Sequence, residues 1–196
     1  EAKTEEVVQP ADATPLDSVL LAKALQHMAL IEGLQLTMSQ IQTILYIAYG
    51  VRLAKHGERL TEEHPQMWQY GPVFPRANKR VKIGEVVTIS DKGVSEFGKN
   101  KLALDIIKQA VNMMYNKSAW SLTMWSHRDE SPWYRTLNPV DEDGKELPQC
   151  DWNTPINLEY IKELVELDNY ENVSEEFKSH IENFFETVKL CKELNI

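Results

Sequence analysis

The chain has 196 residues, 42% of them hydrophobic, and a formal net charge of −9. That length supports one domain with a sizeable core, and no stretch reaches the roughly 18 apolar residues that a membrane helix needs; the best candidate, Leu16 to Ile31, is interrupted by Lys23, Gln26 and His27. Charge is segregated: residues 1–20 hold five acids and one base, residues 51–135 fourteen bases and nine acids, and residues 136–196 fifteen acids and five bases. Such polarity suits a charged protein partner and argues against nucleic acid.

Residues 1–13 are acidic, poor in apolar side chains and punctuated by Ala and Pro, which predicts a mobile tail ahead of a single domain over 14–196. Thr14-Pro15 has the form of a helix start, with Thr14 as N-cap and Asp17 in the first turn. Leu16, Val19, Leu20, Ala24, Met28 and Ile31 recur at helical spacing up to Gly33. A second helix opens with the capping box Thr37-Met38-Ser39-Gln40, carries Ile41, Ile44, Leu45, Ala48 and Val51 on one stripe, and stops near Lys55-His56-Gly57. Tyr46 and Tyr49 flank that stripe, so the helix should be central and covered on more than one side.

After a polar connection from Leu60 to Pro65 comes Met67-Trp68-Gln69-Tyr70-Gly71-Pro72-Val73-Phe74-Pro75, which no charge interrupts. Gly71-Pro72 predicts a turn, because Pro72 fixes φ and Gly71 tolerates angles other residues avoid. Its aromatics are either a core corner or the stiff wall of a partner-binding groove. The basic cluster Arg76, Lys79, Arg80 and Lys82 follows, on a short helix from Pro75 to about Val81. Gly84 to Ser90 is β-branched and ends in Asp91-Lys92-Gly93, predicting one short strand with residues around Met67–Tyr70 as its candidate partner. A helix is expected over Asn100–Tyr115. Another is capped by Ser118, turns Leu122 and Trp125 inward and stops near His127. Ser131-Pro132-Trp133 forms a second aromatic–proline corner, a polar loop reaches Thr154, and helices are expected at about Leu158–Leu167 and Glu175–Leu194. The fold class is therefore mainly α, a compact helical domain with a small β ribbon.

Chemistry is sparse. No glycine spacing cradles a phosphate, His56 and His64 lack the spacing of a helical metal pair, and no HExxH occurs, so neither metal nor cofactor is expected. Ser126-His127-Arg128-Asp129-Glu130-Ser131 collects nucleophile, base and acid types. Relay side chains converge from separate segments, however, so adjacency argues against catalysis there. Cys150 and Cys191 form no CxxC pair, and with no secretory signal visible they point to a reducing cytoplasm.

Three stretches, in order, resemble the Panacea-domain family of SocA-like, phage-associated antitoxins. The first, Gln40-Ile41-Gln42-Thr43-Ile44-Leu45-Tyr46, keeps the apolar and Tyr positions of the family's signature helix and lacks its two lysines, at positions 40 and 43. The second is Met67 to Pro75, which departs from Ala-Trp-x-Tyr-Gly-Pro-Val-x-Pro only at Met67. The third is Leu122 followed by Ser126-His127-Arg128-Asp129-Glu130-Ser131-Pro132-Trp133, with Ser for Thr. The resemblance covers residues 19–137 and, more weakly, the helix beginning near Leu158, while the C-terminal helices over 158–194 complete the domain. It implies a protein without catalytic residues that neutralises a cognate toxin by direct contact. The alternatives are an adaptor that delivers the toxin to a AAA+ protease, or a hydrolase centred on His127. No membrane or nucleic-acid partner is expected. Interface hot spots favour Trp, Tyr and Arg, which makes Trp68, Tyr70, Gly71, Pro72, Val73, Phe74, Arg76, Arg80, His127 and Trp133 the candidate partner-binding residues.

Overall fold

The computed structural model describes residues 15–31, 35–83 and 118–163. Its elements are α1 (Ser18–Ile31), α2 (Met38–His56), β1 (Gln66–Trp68), β2 (Gly71–Val73), α3 (Pro75–Arg80), α4 (Ala119–Ser126), α5 (Pro132–Leu137), β3 (Thr154–Pro155) and α6 (Leu158–Glu163). The described residues are mainly helical with one small three-stranded antiparallel sheet, in the order β2-β1-β3. None of their helices is long and apolar enough to cross a membrane.

Helix α2 is the axle. Thr37 and Gln40 close the capping box reciprocally, at 3.2 and 2.8 Å, and Gly57 ends the helix in a left-handed conformation with its N–H on the Leu53 carbonyl. Every residue from Ile41 to Leu53 is buried, as expected of a helix covered on all sides. Helices α1, α4 and α6 and strand β2 all pack on it. Each fully buried Ile or Leu there contributes about 1.5–3 kcal/mol through removal from water.

Helix α1 begins later than its sequence predicts. Asp17, rather than Thr14, caps it: Asp17 Oδ1 accepts from the N–H groups of Val19 and Leu20 at 2.8 and 3.1 Å. Pro15 and Leu16 precede the helix because Leu16 is drawn into a parallel bridge with Thr61, its N–H donating to the Leu60 carbonyl at 2.8 Å. The buried face also includes Leu21, Ala22 and Leu25, beyond the single stripe read from spacing, while Val19 is only half-buried.

The aromatic–proline stretch folds on itself as a hairpin. Met67 pairs with Pro72 and Trp68 with Gly71, which places the turn at Gln69-Tyr70 and not at Gly71-Pro72. Gly71 lies within β2 at φ 133°, and a Cβ there would stand 3.2 Å from Ser126 Oγ. Both facts call for glycine. The outer partner of β1 is β3, with Gln66 opposite Pro155 and Met67 opposite Thr154, so the end of the polar loop completes the ribbon.

Ser118 caps α4 through Ser121 N–H, and His127 closes it. Ser131 caps α5 with Pro132 at its first position, so the second aromatic–proline corner is a helix start. The tail, Thr14, Gly33, the strand over 84–90 with its turn at Asp91–Gly93, the helix over 100–115, and the helix over 175–194 with Cys191 lie outside the described residues. The helix expected at Leu158–Leu167 is described from Leu158 to Glu163.

Candidate functional site

The three signature stretches interlock around the hairpin. From α2, the Gln42 side chain behaves as a short strand: its Oε1 accepts from Phe74 N–H at 2.7 Å, and its Nε2 donates to the Phe74 carbonyl at 3.4 Å. From α5, Trp133 Nε1 donates to the Trp68 carbonyl at 2.8 Å. Tyr46 and Trp125 meet edge to face across α2 and α4, with ring centroids 6.4 Å apart. Ser126 stands against Gly71.

That arrangement sorts the ten candidate residues. Phe74 is fully buried, edge-on to Tyr49 at 5.7 Å, and Gly71, Pro72 and Trp133 are also buried. Trp68 and Val73 are half-buried, and Tyr70 is 74% exposed at the hairpin tip. Trp68, Tyr70, Pro72 and Val73 line a groove of about 520 Å³ together with Met38, Gln42 and Trp152. Trp68 Nε1 is tied to Gln66 Oε1 at 3.0 Å, which fixes the indole. The rest of the described lining is neutral: Ser39, Thr43, Gln69, Asn78 and Asn153. An apolar, aromatic channel edged by amides and hydroxyls can bury an uncharged protein segment and hydrogen-bond its backbone.

Arg76 and Arg80 stand apart from that lining, both exposed. The Arg76 guanidinium donates to Asp17 Oδ2 at 2.6 Å and to Glu62 Oε1, so its charge is met within the fold. Burial pushes the Asp17 carboxyl up, but the Arg76 hydrogen bond, the Leu20 and Val19 N–H groups and the Arg76 charge together hold it below the usual range. Glu62 is raised, by burial first. Both carboxylates thus meet Arg76, and only Asp17 ends below its ordinary range.

His127 stacks on Trp133 with centroids 3.7 Å apart, and Trp133 lies 6.2 Å from Trp152, so an aromatic row runs from α4 to the groove wall. Burial lowers the His127 pKa, and its Nε2 is buried without a hydrogen-bond partner among the described residues. Ser126 Oγ donates to the Thr123 carbonyl at 3.0 Å, and Ser131 Oγ to the Ser126 carbonyl at 2.8 Å. Among the described residues no three His, Cys, Asp or Glu side chains gather as metal ligands.

Sequence reasoning missed Trp152 and Gln42. Trp152 sits in a polar loop whose composition carries no periodic signal. Gln42 lies within the first signature but reveals its role only once the hairpin is beside it.

Residues 41–134 match the family model described as antitoxin SocA-like, Panacea domain. That segment contains the second and third signature stretches and most of the first, including Gln42 and Tyr46. No curated protein and no solved structure matches the chain.

Proposed function

From a domain of the SocA-like Panacea family at residues 41–134, we propose that this chain is an antitoxin-like binding protein that neutralises a protein toxin by direct contact. It acts by occlusion and not by chemistry: a segment of the toxin lies in the groove between the hairpin and α2. Tyr70, Trp68 and Trp152 supply the contact area, and Phe74 and Trp133 hold the wall from behind. The observation that carries this reading is the exposed Tyr70 at the mouth of an aromatic groove, within the stretch most specific to the family. Large amphipathic rings fixed by their neighbours bind at low entropic cost.

The test is co-expression with the protein encoded beside it, followed by titration of the purified pair. The neighbour should be toxic alone and should co-purify with this chain. Tyr70→Ala and Trp152→Ala should each weaken binding by about 30-fold, the scale of an interface hot spot, with the melting curve unchanged. Phe74→Ala is the contrast, losing about 3–5 kcal/mol of stability as a buried aromatic does. A harmless neighbour, or full affinity in the Tyr70 and Trp152 variants, overturns the proposal.

A further inference from the structure

A second cavity, of about 590 Å³, lies beside α5 and shares no described lining residue with the groove. At one wall stands Arg128. Its Nη1 donates to the Trp125 carbonyl at 2.7 Å, and its guanidinium carbon lies 4.7 Å from the centroid of the Trp125 ring. The side chain is thus pinned and half-buried. Among the described residues no carboxylate lies within ion-pair distance of it. Arg76 is the contrast, exposed and held by two carboxylates. Burial lowers the Arg128 pKa, yet a guanidinium does not give up its proton in a protein. A half-buried cation of this kind is stabilised by an anion that enters with it.

The rest of the cavity fits such a guest. Tyr134 and Tyr160 line it, and neither hydroxyl has a hydrogen-bond partner among the described residues. Arg135 also lines it, with its guanidinium 3.7 Å over the Tyr160 ring, so the Tyr160 ring is held in place. Among the described residues Glu130 is the one lining carboxylate. It is exposed, so solvent weakens its repulsion. Pro132 and Val140 add apolar wall. The cavity far exceeds a bare oxyanion, which fills only a few water volumes of about 30 Å³ each.

We propose that this cavity is an oxyanion-binding site centred on Arg128, which takes a small organic molecule bearing a carboxylate or a phosphate monoester on an apolar or aromatic body. Arg128 meets the oxyanion in its planar fork, the tyrosine hydroxyls donate to the remaining oxygens, and the Tyr rings, Pro132 and Val140 cover the body. The site stands whether or not the groove binds a toxin, because the two share no described lining residue.

The test is calorimetric titration of the full chain at fixed ionic strength with phenyl phosphate, benzoate and the neutral benzyl alcohol. At least one oxyanion should bind saturably while benzyl alcohol does not, and the stronger of the two identifies the head group as phosphate or carboxylate. Arg128→Gln should weaken that binding at least tenfold. Tyr160→Phe, which keeps the ring under Arg135, should weaken it several-fold, and it decides the matter if Arg128→Gln fails to fold. Oxyanions that bind no better than benzyl alcohol, or full binding in either folded variant, overturn the proposal.

Discussion

Tyr46 carries a hydroxyl that is fully buried and has no hydrogen-bond partner among the described residues, and burial drives its pKa upward. An unsatisfied buried hydroxyl costs free energy, so Tyr46→Phe, which keeps the ring against Trp125, should leave stability unchanged or raise it by about 1 kcal/mol. A loss in a urea titration would reveal a partner for the hydroxyl. Gly71 carries the opposite constraint. Its φ of 133° and the nearby Ser126 Oγ make Gly71→Ala costly by about 1–3 kcal/mol, the range of a residue held in a disfavoured region; an unchanged denaturation midpoint would refute that account. Two residues of the signature stretches thus act on stability with opposite sign, and only one of them is optimised for it.

Between elements, the connection before β1 works as a staple. Glu63 Oε2 accepts from Arg76 N–H at 2.9 Å, while Oε1 accepts from Ala77 N–H at 3.1 Å and from Ser18 Oγ at 2.7 Å. One carboxylate therefore serves the first turns of α1 and α3, where the hairpin-end Phe74 gives α3 no side-chain cap. Glu63→Ala should cost about 0.5–2 kcal/mol, the scale of a lost cap. Arg76→Ala should cost less, about 0–1 kcal/mol, because its ion pairs are solvent-exposed. Equal losses in thermal denaturation would show that the ion pairs and not the cap join the helices. The sequence displays signals written within one element: the capping box at Thr37, the Ser118 cap, the Gly57 stop and the buried face of α2. It does not display caps that arrive from elsewhere. Asp17 marks the true start of α1 only because Leu16 is pulled away to Thr61, and Glu63 reads as part of a polar connection. The groove was half legible for the same reason. The hairpin wall lies in one stretch, whereas Trp152 comes from a loop with no pattern of its own and reaches the wall beside β3.

At the scale of the whole molecule, stability should depend on two histidines held by separate parts of the fold. His64 lies at the end of the connection, its Nδ1 2.8 Å from Tyr49 Oη, and burial with the Arg59 charge lowers its pKa from the ordinary 6.5. His127, stacked on Trp133, is lowered from the same value by burial. In both, the unfolded chain takes up a proton at a higher pH than the native protein does. Their contribution is therefore complete above about pH 6.5 and is lost as pH falls through the native values. Asp17, held below 3.8, has the same sign, but its contribution is lost only in stronger acid. Glu62 opposes them: raised above 4.5, it protonates first in the native state and adds stability on acidification through that range. The first decline on moving down from neutral pH should accordingly belong to the histidines. Urea midpoints measured at pH 7.5 and 5.5 should fall for the native sequence, and the difference should shrink in each of His64→Gln and His127→Gln and shrink further in the double variant. A double variant that keeps the full difference would move the pH response to other groups and leave the two burial sites without a role in it.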